Sequence, residues 1–202
     1  MTPVPPFPRL FCLVSERDDL TLLPALADAG VDGFQVRAKS VTTRALVALT
    51  RSVLTAVRPH GARVLVDDRL DVALAAGADG VHLGADDLPV ADARRLAAGL
   101  MIGATCRTRA EVEAAAAAGA DYAGFGPVFA SASKADLPAP LGVAAVAEAV
   151  GVLPLVAIGG LSAATAGEVR AAGADAVAVI GAIWRDPDPV GAAKELVTRL
   201  GG

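Results

Sequence analysis

Aromatic residues are scarce in this chain of 202 residues: one Trp, one Tyr and five Phe make up 3% of it, while 54% is hydrophobic. A core with so few rings is built from Ala, Val and Leu, which suits close helix-on-sheet packing better than a ligand surface of stacked aromatics. Runs of Lys or Arg are missing as well, and the net charge is −4. That balance excludes the basic face a nucleic-acid footprint requires, so any phosphate-bearing ligand is held by a few local cations. Cysteine is limited to Cys12 and Cys106, far apart and without a CxxC spacing. Both read as reduced, and Cys106 as inert. No uninterrupted apolar run reaches about 18 residues, so no membrane span is expected. The opening MTPVPPFPRL lacks a basic region followed by an apolar core, so it does not read as a signal peptide and the cytoplasm is the default.

What is present is a repeat. Ala-Gly-x-Asp occurs at Ala29–Asp32, Ala76–Asp79, Ala118–Asp121 and Ala172–Asp175, each after an Ala/Leu-rich helical pattern and before an apolar run. Glycine there is the usual residue ending a helix in the left-handed conformation. The interval of roughly fifty residues suits two βα units, so four repeats make eight strands. Strands are expected at Leu10–Val14, Phe34–Val36, Arg63–Val66, Val81–Leu83, Met101–Ala104, Tyr122–Phe125, Leu155–Ile158 and Ala176–Ile180. They are short and apolar throughout, the signature of strands buried on both faces of a parallel sheet. Helices fall near Leu20–Ala29, Thr42–Val57, Leu70–Ala76, Val90–Ala98, Arg109–Ala118, Val143–Val150, Ala163–Ala172 and Pro189–Leu200. The expected fold is α/β, a single compact (β/α)8 TIM barrel over residues 1–202 with a Pro-rich tail at 1–9; a doubly wound open sheet is the alternative. The one long non-helical connection, Gly126–Leu141, is a candidate binding loop.

Charged and small residues cluster just past these strands. Asp67-Asp68 and Asp86-Asp87 follow the third and fourth runs, where a βαβ crossover brings them to one sheet edge. Paired carboxylates there suit Mg2+, which takes oxygen ligands and substrate phosphate; the alternative is that they cap helices. Gln35, Arg37 and Lys39 share one side of an extended segment, and Arg69, His82, Thr105, Cys106, Arg107, Ser131, Ser133 and Lys134 join them at the mouth. Gly159-Gly160 and Gly181 follow strands seven and eight, where barrels frequently bind phosphate through backbone N–H groups, though a tight turn alone would also explain the pair. His82 reads more readily as a rim histidine than as a ligand, and Trp184 as a packing residue.

These residues resemble the thiamine phosphate synthase family, which shares its barrel with the thiazole tautomerases. The resemblance runs from about Leu10 to Leu200. It is carried by Gln35-Val36-Arg37-Ala38-Lys39, Asp67-Asp68-Arg69-Leu70-Asp71-Val72-Ala73, Ala78–Gly84, Gly126-Pro127-Val128-Phe129 with Ser131, Ser133 and Lys134, and Ala157-Ile158-Gly159-Gly160-Leu161. It implies a Mg2+-dependent transferase joining an aminopyrimidine methyl pyrophosphate to a thiazole phosphate, with thiamine phosphate and pyrophosphate as products. By the same resemblance Asp68 and Asp87 bind Mg2+, and Gln35, Arg37, Lys39 and Lys134 hold the pyrophosphate. Ser131, Ser133, Gly160, Ile180 and Gly181 match positions for the thiazole phosphate, and Thr105 a hydroxyl near the pyrimidine. The implied partners are these small molecules, with no nucleic acid or membrane, in a possible homo-oligomer.

Several positions depart from the family pattern: Asp67 stands for Asn, Ala85 for Gln, Ser131-x-Ser133 for Thr-x-Thr, Thr105 for Ser and Arg107 for His. The hydroxyl exchanges keep the chemistry. A carboxylate at 67 loses the amide's donor and adds charge, so it is read as a further magnesium ligand or as a sign of altered substrate preference. Arg at 107 cannot act as a base at neutral pH, which weighs against a tautomerase. A tautomerase-like enzyme and a non-catalytic phosphate-binding barrel remain the alternatives to a synthase.

Overall fold

The computed structural model describes residues 7–130 and 138–201. Eight parallel strands close into a barrel in sequence order: β1 (Leu10–Val14), β2 (Gly33–Val36), β3 (Arg63–Asp67), β4 (Gly80–Leu83), β5 (Met101–Cys106), β6 (Tyr122–Phe125), β7 (Leu155–Ile158) and β8 (Ala176–Val179). The helices are α1 (Leu23–Asp28), α2 (Thr43–Val57), α3 (Leu70–Ala76), α4 (Val90–Leu96), α5 (Arg109–Ala117), α6 (Gly142–Ala149), α7 (Ala163–Ala171), α8 (Gly181–Trp184) and α9 (Pro189–Arg199). Each expected strand and helix is present within a few residues; the open-sheet alternative falls because β1 pairs with β8 through Leu10–Val177, Phe11–Ala178 and Cys12–Val179. The short α8, which opens at Gly181, has no counterpart in the sequence reading, because four residues carry too little periodicity to register. Among the described residues no helix is long and apolar enough to cross a membrane.

The fourfold repeat has a direct structural cause. Each repeat aspartate stands just before an even-numbered strand and accepts the N–H near the start of the preceding odd-numbered one. Asp32 takes Leu10 N at 2.8 Å, Asp79 takes Val64 N at 2.8 Å, Asp121 takes Ile102 N at 2.7 Å and Asp175 takes Leu155 N at 2.9 Å. A carboxylate accepting a backbone N–H is a charge-assisted bond, stronger than its neutral equivalent. The repeat glycines that end the preceding helices all have left-handed φ, between 73° at Gly77 and 104° at Gly30.

The barrel interior holds three of the seven aromatic side chains of the sequence, Phe7, Phe11 and Tyr122. Phe7, in the stretch read as a Pro-rich tail, packs on Phe11 at 6.0 Å and on Tyr122 at 5.6 Å between ring centroids. Residues 1–6 lie outside the described residues. Glycines on neighbouring strands leave the volume these side chains occupy. A Cβ on Gly33 would stand 2.5 Å from the Phe11 ring, one on Gly103 2.0 Å from Tyr122, and one on Gly124 2.6 Å from His82. A second apolar layer, with Val64, Val66, Val81, Ile102 and Ala123 fully buried, faces the helices. Both cysteines are free and buried, and burial pushes the Cys106 thiol up to about 11, which keeps it protonated and unreactive.

The aspartate bonds set strand register at the amino edge, so removing one is costly. Asp175→Ala should lower unfolding free energy by about 1–3 kcal/mol, because Leu155 N–H then stays unsatisfied. Asp175→Asn, whose side-chain oxygen still accepts, should recover most of that loss. Urea denaturation of the three proteins measures both.

Candidate active site at the carboxyl mouth of the barrel

The carboxyl ends of the strands surround a cavity of about 540 Å3. Gln35, Arg37, Lys39, Asp67, Asp68, Asp87 and Thr105 all line it, as do Gly159, Gly160, Ile180 and Gly181. The barrel thus brings these residues from separate strand ends to one mouth, while Cys106, expected there, points into the buried layer under the helices. Ser131, Ser133 and Lys134 lie outside the described residues. Arg69 is not brought in: its guanidinium turns to Asp71, with Nε 2.8 Å from Oδ1 and Nη2 2.6 Å from Oδ2, and reaches Thr43 at 3.1 Å.

Three strand ends create the charged wall. Gln35 is the last inward position of β2, and Arg37 follows two residues on. Asp67 ends β3 and is 7% exposed; its Oδ1 accepts from Gln35 Nε2, while Oδ2 lies 3.1 Å from Arg37 Nε. A buried carboxylate needs this compensation, since an unpaired one would carry a desolvation penalty of several kcal/mol. Asp67 is therefore engaged with Gln35 and Arg37. The bond also orients the Gln35 amide and leaves the Arg37 Nη groups without a partner among the described residues.

Asp68 and Asp87 form the acidic centre. Asp68 has φ of 66°, the only non-glycine residue in the left-handed region among those described, and its N–H donates to His82 O at 2.8 Å across to β4. Aspartate tolerates this conformation better than most residues, and such outliers cluster at functional sites. Lys39 Nζ lies 3.0 Å from Asp68 Oδ2, and Asp87 Oδ2 accepts Gly84 N at 2.7 Å. Burial above all, and then Asp68 alongside, pushes the Asp87 carboxyl above the usual carboxylate range, although the Gly84 N–H favours its charged form. Two carboxylates forced together beside one Lys fit a divalent cation. Among the described residues no group of three or more His, Cys, Asp or Glu forms a ready-made metal cage. A pair plus water and phosphate oxygens is nonetheless the set Mg2+ prefers.

The opposite wall is made of turns. Gly159 and Gly160 have φ of 97° and 66°, and a Cβ on Gly160 would stand 2.3 Å from Ala130 O. The pair lets the β7 turn press against the loop after β6, where Val128 N donates to Ile158 O at 2.9 Å and Phe129 N to Gly159 O at 3.0 Å. Close packing therefore accounts for both glycines, and the same packing brings their backbone to the cavity. Arg107 Nη2 donates to Ala139 O at 3.1 Å and Nη1 to Gly126 O at 3.4 Å, so this guanidinium ties the two flanks of the loop. Trp184 Nε1 donates to Leu13 O at 2.7 Å, docking α8 on β1.

Residues the sequence did not single out complete the mouth. Arg185 and Ser162 line it, and Tyr122 supports it from below by bonding His82. Strand parity was the available signal for Tyr122, since it shares its face with Gly124; no sequence feature pointed to Arg185.

A closed parallel barrel with cations, carboxylates and glycine turns at its carboxyl mouth defines a (β/α)8-barrel enzyme suited to small anionic molecules. A family model described as thiamine monophosphate synthase matches residues 10–183. The chain belongs to that family, whose members are transferases of thiamine biosynthesis. A thiamine-phosphate synthase of Methanoculleus marisnigri is 48% identical over 177 residues, 86% of this chain and 84% of that one. The thiamine biosynthesis bifunctional protein ThiM/ThiE of Symbiobacterium thermophilum is 47% identical over 195 residues; the match spans 95% of this chain and 40% of the length of that protein. Among solved structures, a thiamine phosphate pyrophosphorylase from Pyrococcus furiosus superposes with a TM-score of 0.87 at 31% identity, covering 96% of this chain and 95% of its own.

Stability is spent on the acidic centre. Because the folded-state carboxyl of Asp87 is raised, its charge opposes folding above that pKa, and the cost is relieved as pH falls through it. In the presence of a chelator at pH 7, Asp87→Asn should raise the melting temperature by about 1–3 °C. The gain should shrink as the pH is lowered and wild-type Asp87 becomes protonated, which differential scanning fluorimetry across pH would follow.

Proposed function

We propose that this protein is a Mg2+-dependent thiamine phosphate synthase, transferring an aminopyrimidine methyl group from its diphosphate to the ring nitrogen of a thiazole phosphate. The observation that carries the reading is the Asp68–Asp87 pair with Lys39 and Arg37 at one end of the cavity. Asp68 and Asp87 would hold the metal, and Gln35, Arg37, Lys39 and Lys134 the diphosphate. Mg2+, when bound, would supply positive charge against the pyrophosphate as it departs. Arg37 and Lys39 do the same work from the protein side, placed before reaction so that no reorganisation is needed as charge develops. The methylene C–O bond breaks with its electron pair leaving on pyrophosphate, and the thiazole nitrogen lone pair forms the new C–N bond. Backbone groups at Gly159, Gly160, Ile180 and Gly181, with Ser131 and Ser133, would seat the thiazole phosphate, and Thr105 would face the pyrimidine. Departure would leave a pyrimidine-stabilised methylene cation that water in the cavity could also capture, so seating both substrates before departure protects the product. Arg107 is committed to Gly126 O and Ala139 O and cannot take up a proton, which supports synthase over tautomerase.

Turnover of the pyrimidine diphosphate and thiazole phosphate with Mg2+, followed by thiamine phosphate formation, tests this. Asp68→Ala should lower the rate by about 100-fold or more. No product from the wild type under any divalent metal, alongside tight binding of thiazole phosphate in calorimetry, would instead identify a binding protein.

A further inference from the structure

His82 lies on the inward face of β4, between the buried end of the barrel and the cavity. Its Nδ1 is 3.0 Å from the Tyr122 hydroxyl, and its Nε2 is 3.0 Å from Thr105 Oγ1. The imidazole stacks on the Tyr122 ring at 5.6 Å and 27°. Space for the pair comes from Gly103 and Gly124, where any side chain would collide with Tyr122 or His82. The three side chains therefore form a hydrogen-bonded row from core to mouth: Tyr122 is 1% exposed, His82 half-buried and Thr105 exposed to the cavity.

Proton accounting gives the row a direction. Burial, with Asp67 and Asp121 near by, holds Tyr122 well above the ordinary phenol range, so it carries its hydrogen at neutral pH. Among the described residues the His82 ring is the sole hydrogen-bond partner of that hydroxyl. If Nδ1 carried a hydrogen, it would donate to the tyrosine oxygen and leave the phenol hydrogen buried without an acceptor, a penalty of about 1–3 kcal/mol. With Nδ1 as acceptor, the phenol donates to it and the neutral ring must carry its hydrogen on Nε2. Nε2–H then donates to Thr105 Oγ1 and occupies one lone pair, so the hydroxyl of Thr105 turns its own hydrogen to the cavity.

We infer that Tyr122 and His82 are positioning residues that hold Thr105 as a hydrogen-bond donor toward the bound ligand, so that this part of the mouth reads an acceptor atom. The acceptor class is an aromatic ring nitrogen or a diphosphate oxygen. This last step rests on the synthase reading, whereas the direction of the row does not.

The chain has only two histidines, His60 and His82, so their ring nitrogens are readily resolved by long-range 1H–15N NMR, assigned with a His60→Gln variant. At pH 7 and without substrate, His82 should be neutral with hydrogen on Nε2. An Nδ1–H or doubly protonated ring would overturn the inference. Tyr122→Phe should bring in the Nδ1–H form; a ring that stays wholly Nε2–H would show that Tyr122 does not set it, which also overturns it. In turnover, Thr105→Val and His82→Leu should each lower kcat/KM by about 100-fold, while the double variant falls little further, because both remove the same donor. His82→Gln, which can present an amide N–H to Thr105, should recover about tenfold of the His82→Leu loss, and independent, multiplicative losses with no such rescue would overturn the positioning role. An inactive wild type would sink the synthase reading and leave the NMR result standing.

Discussion

The carboxylate-to-amide bonds at the amino edge are the constraint on which the barrel depends. Asp32, Asp79, Asp121 and Asp175 each tie an even strand to the first residues of the odd strand before it. A one-residue slip in a parallel strand would turn its inward residues to the helices, exchanging Asp67 or His82 for a core valine. Four charge-assisted bonds at the closed end oppose that slip without placing any requirement on the open end. The carboxyl mouth can therefore carry residues that weaken the fold.

Those residues are concentrated at the mouth. Asp68 adopts a left-handed backbone, Asp87 is pushed toward protonation by burial and by its neighbour, and Asp67 is a buried acid held by Gln35 and Arg37. Each is unfavourable in isolation, and under the proposed function each would gain a role beside a cation and an anionic ligand. The same logic applies to Gly103 and Gly124, which give up packing of their own so that Tyr122 and His82 can stand inside a barrel of small residues. A chain with so few aromatics uses Phe7, Phe11 and Tyr122 to fill the barrel axis, while the layer under the helices is mainly aliphatic with Phe34 and Phe125 among it.

Much of the fold was legible because it repeats. Ala-Gly-x-Asp marks a helix end and a strand start, and both are local events governed by a glycine's φ and a carboxylate's reach. Short apolar runs between those marks leave little choice but parallel strands with both faces covered. Asp68, Asp87, Arg37 and Lys39 were legible for the same reason, since position just after a barrel strand is enough to place a residue at the mouth. Asp67 was not. Its neighbour in sequence is Asp68, yet its partners are Gln35 and Arg37 on another strand, and only the pairing of β2 with β3 makes them meet.

The amino-acid sequence alone thus determined the number, order and direction of the strands and which residues gather at the carboxyl mouth, because these follow from local periodicity and helix termination. Tertiary structure decided how the gathered groups are used. It paired Asp67 with Arg37, set Asp68 beside Asp87, committed Arg107 to loop carbonyls and lined up Tyr122, His82 and Thr105. The reason is one of distance: hydrogen bonds and carboxylate repulsion are decided within about 3–4 Å. Separations that small between residues tens of positions apart exist only once the barrel has closed.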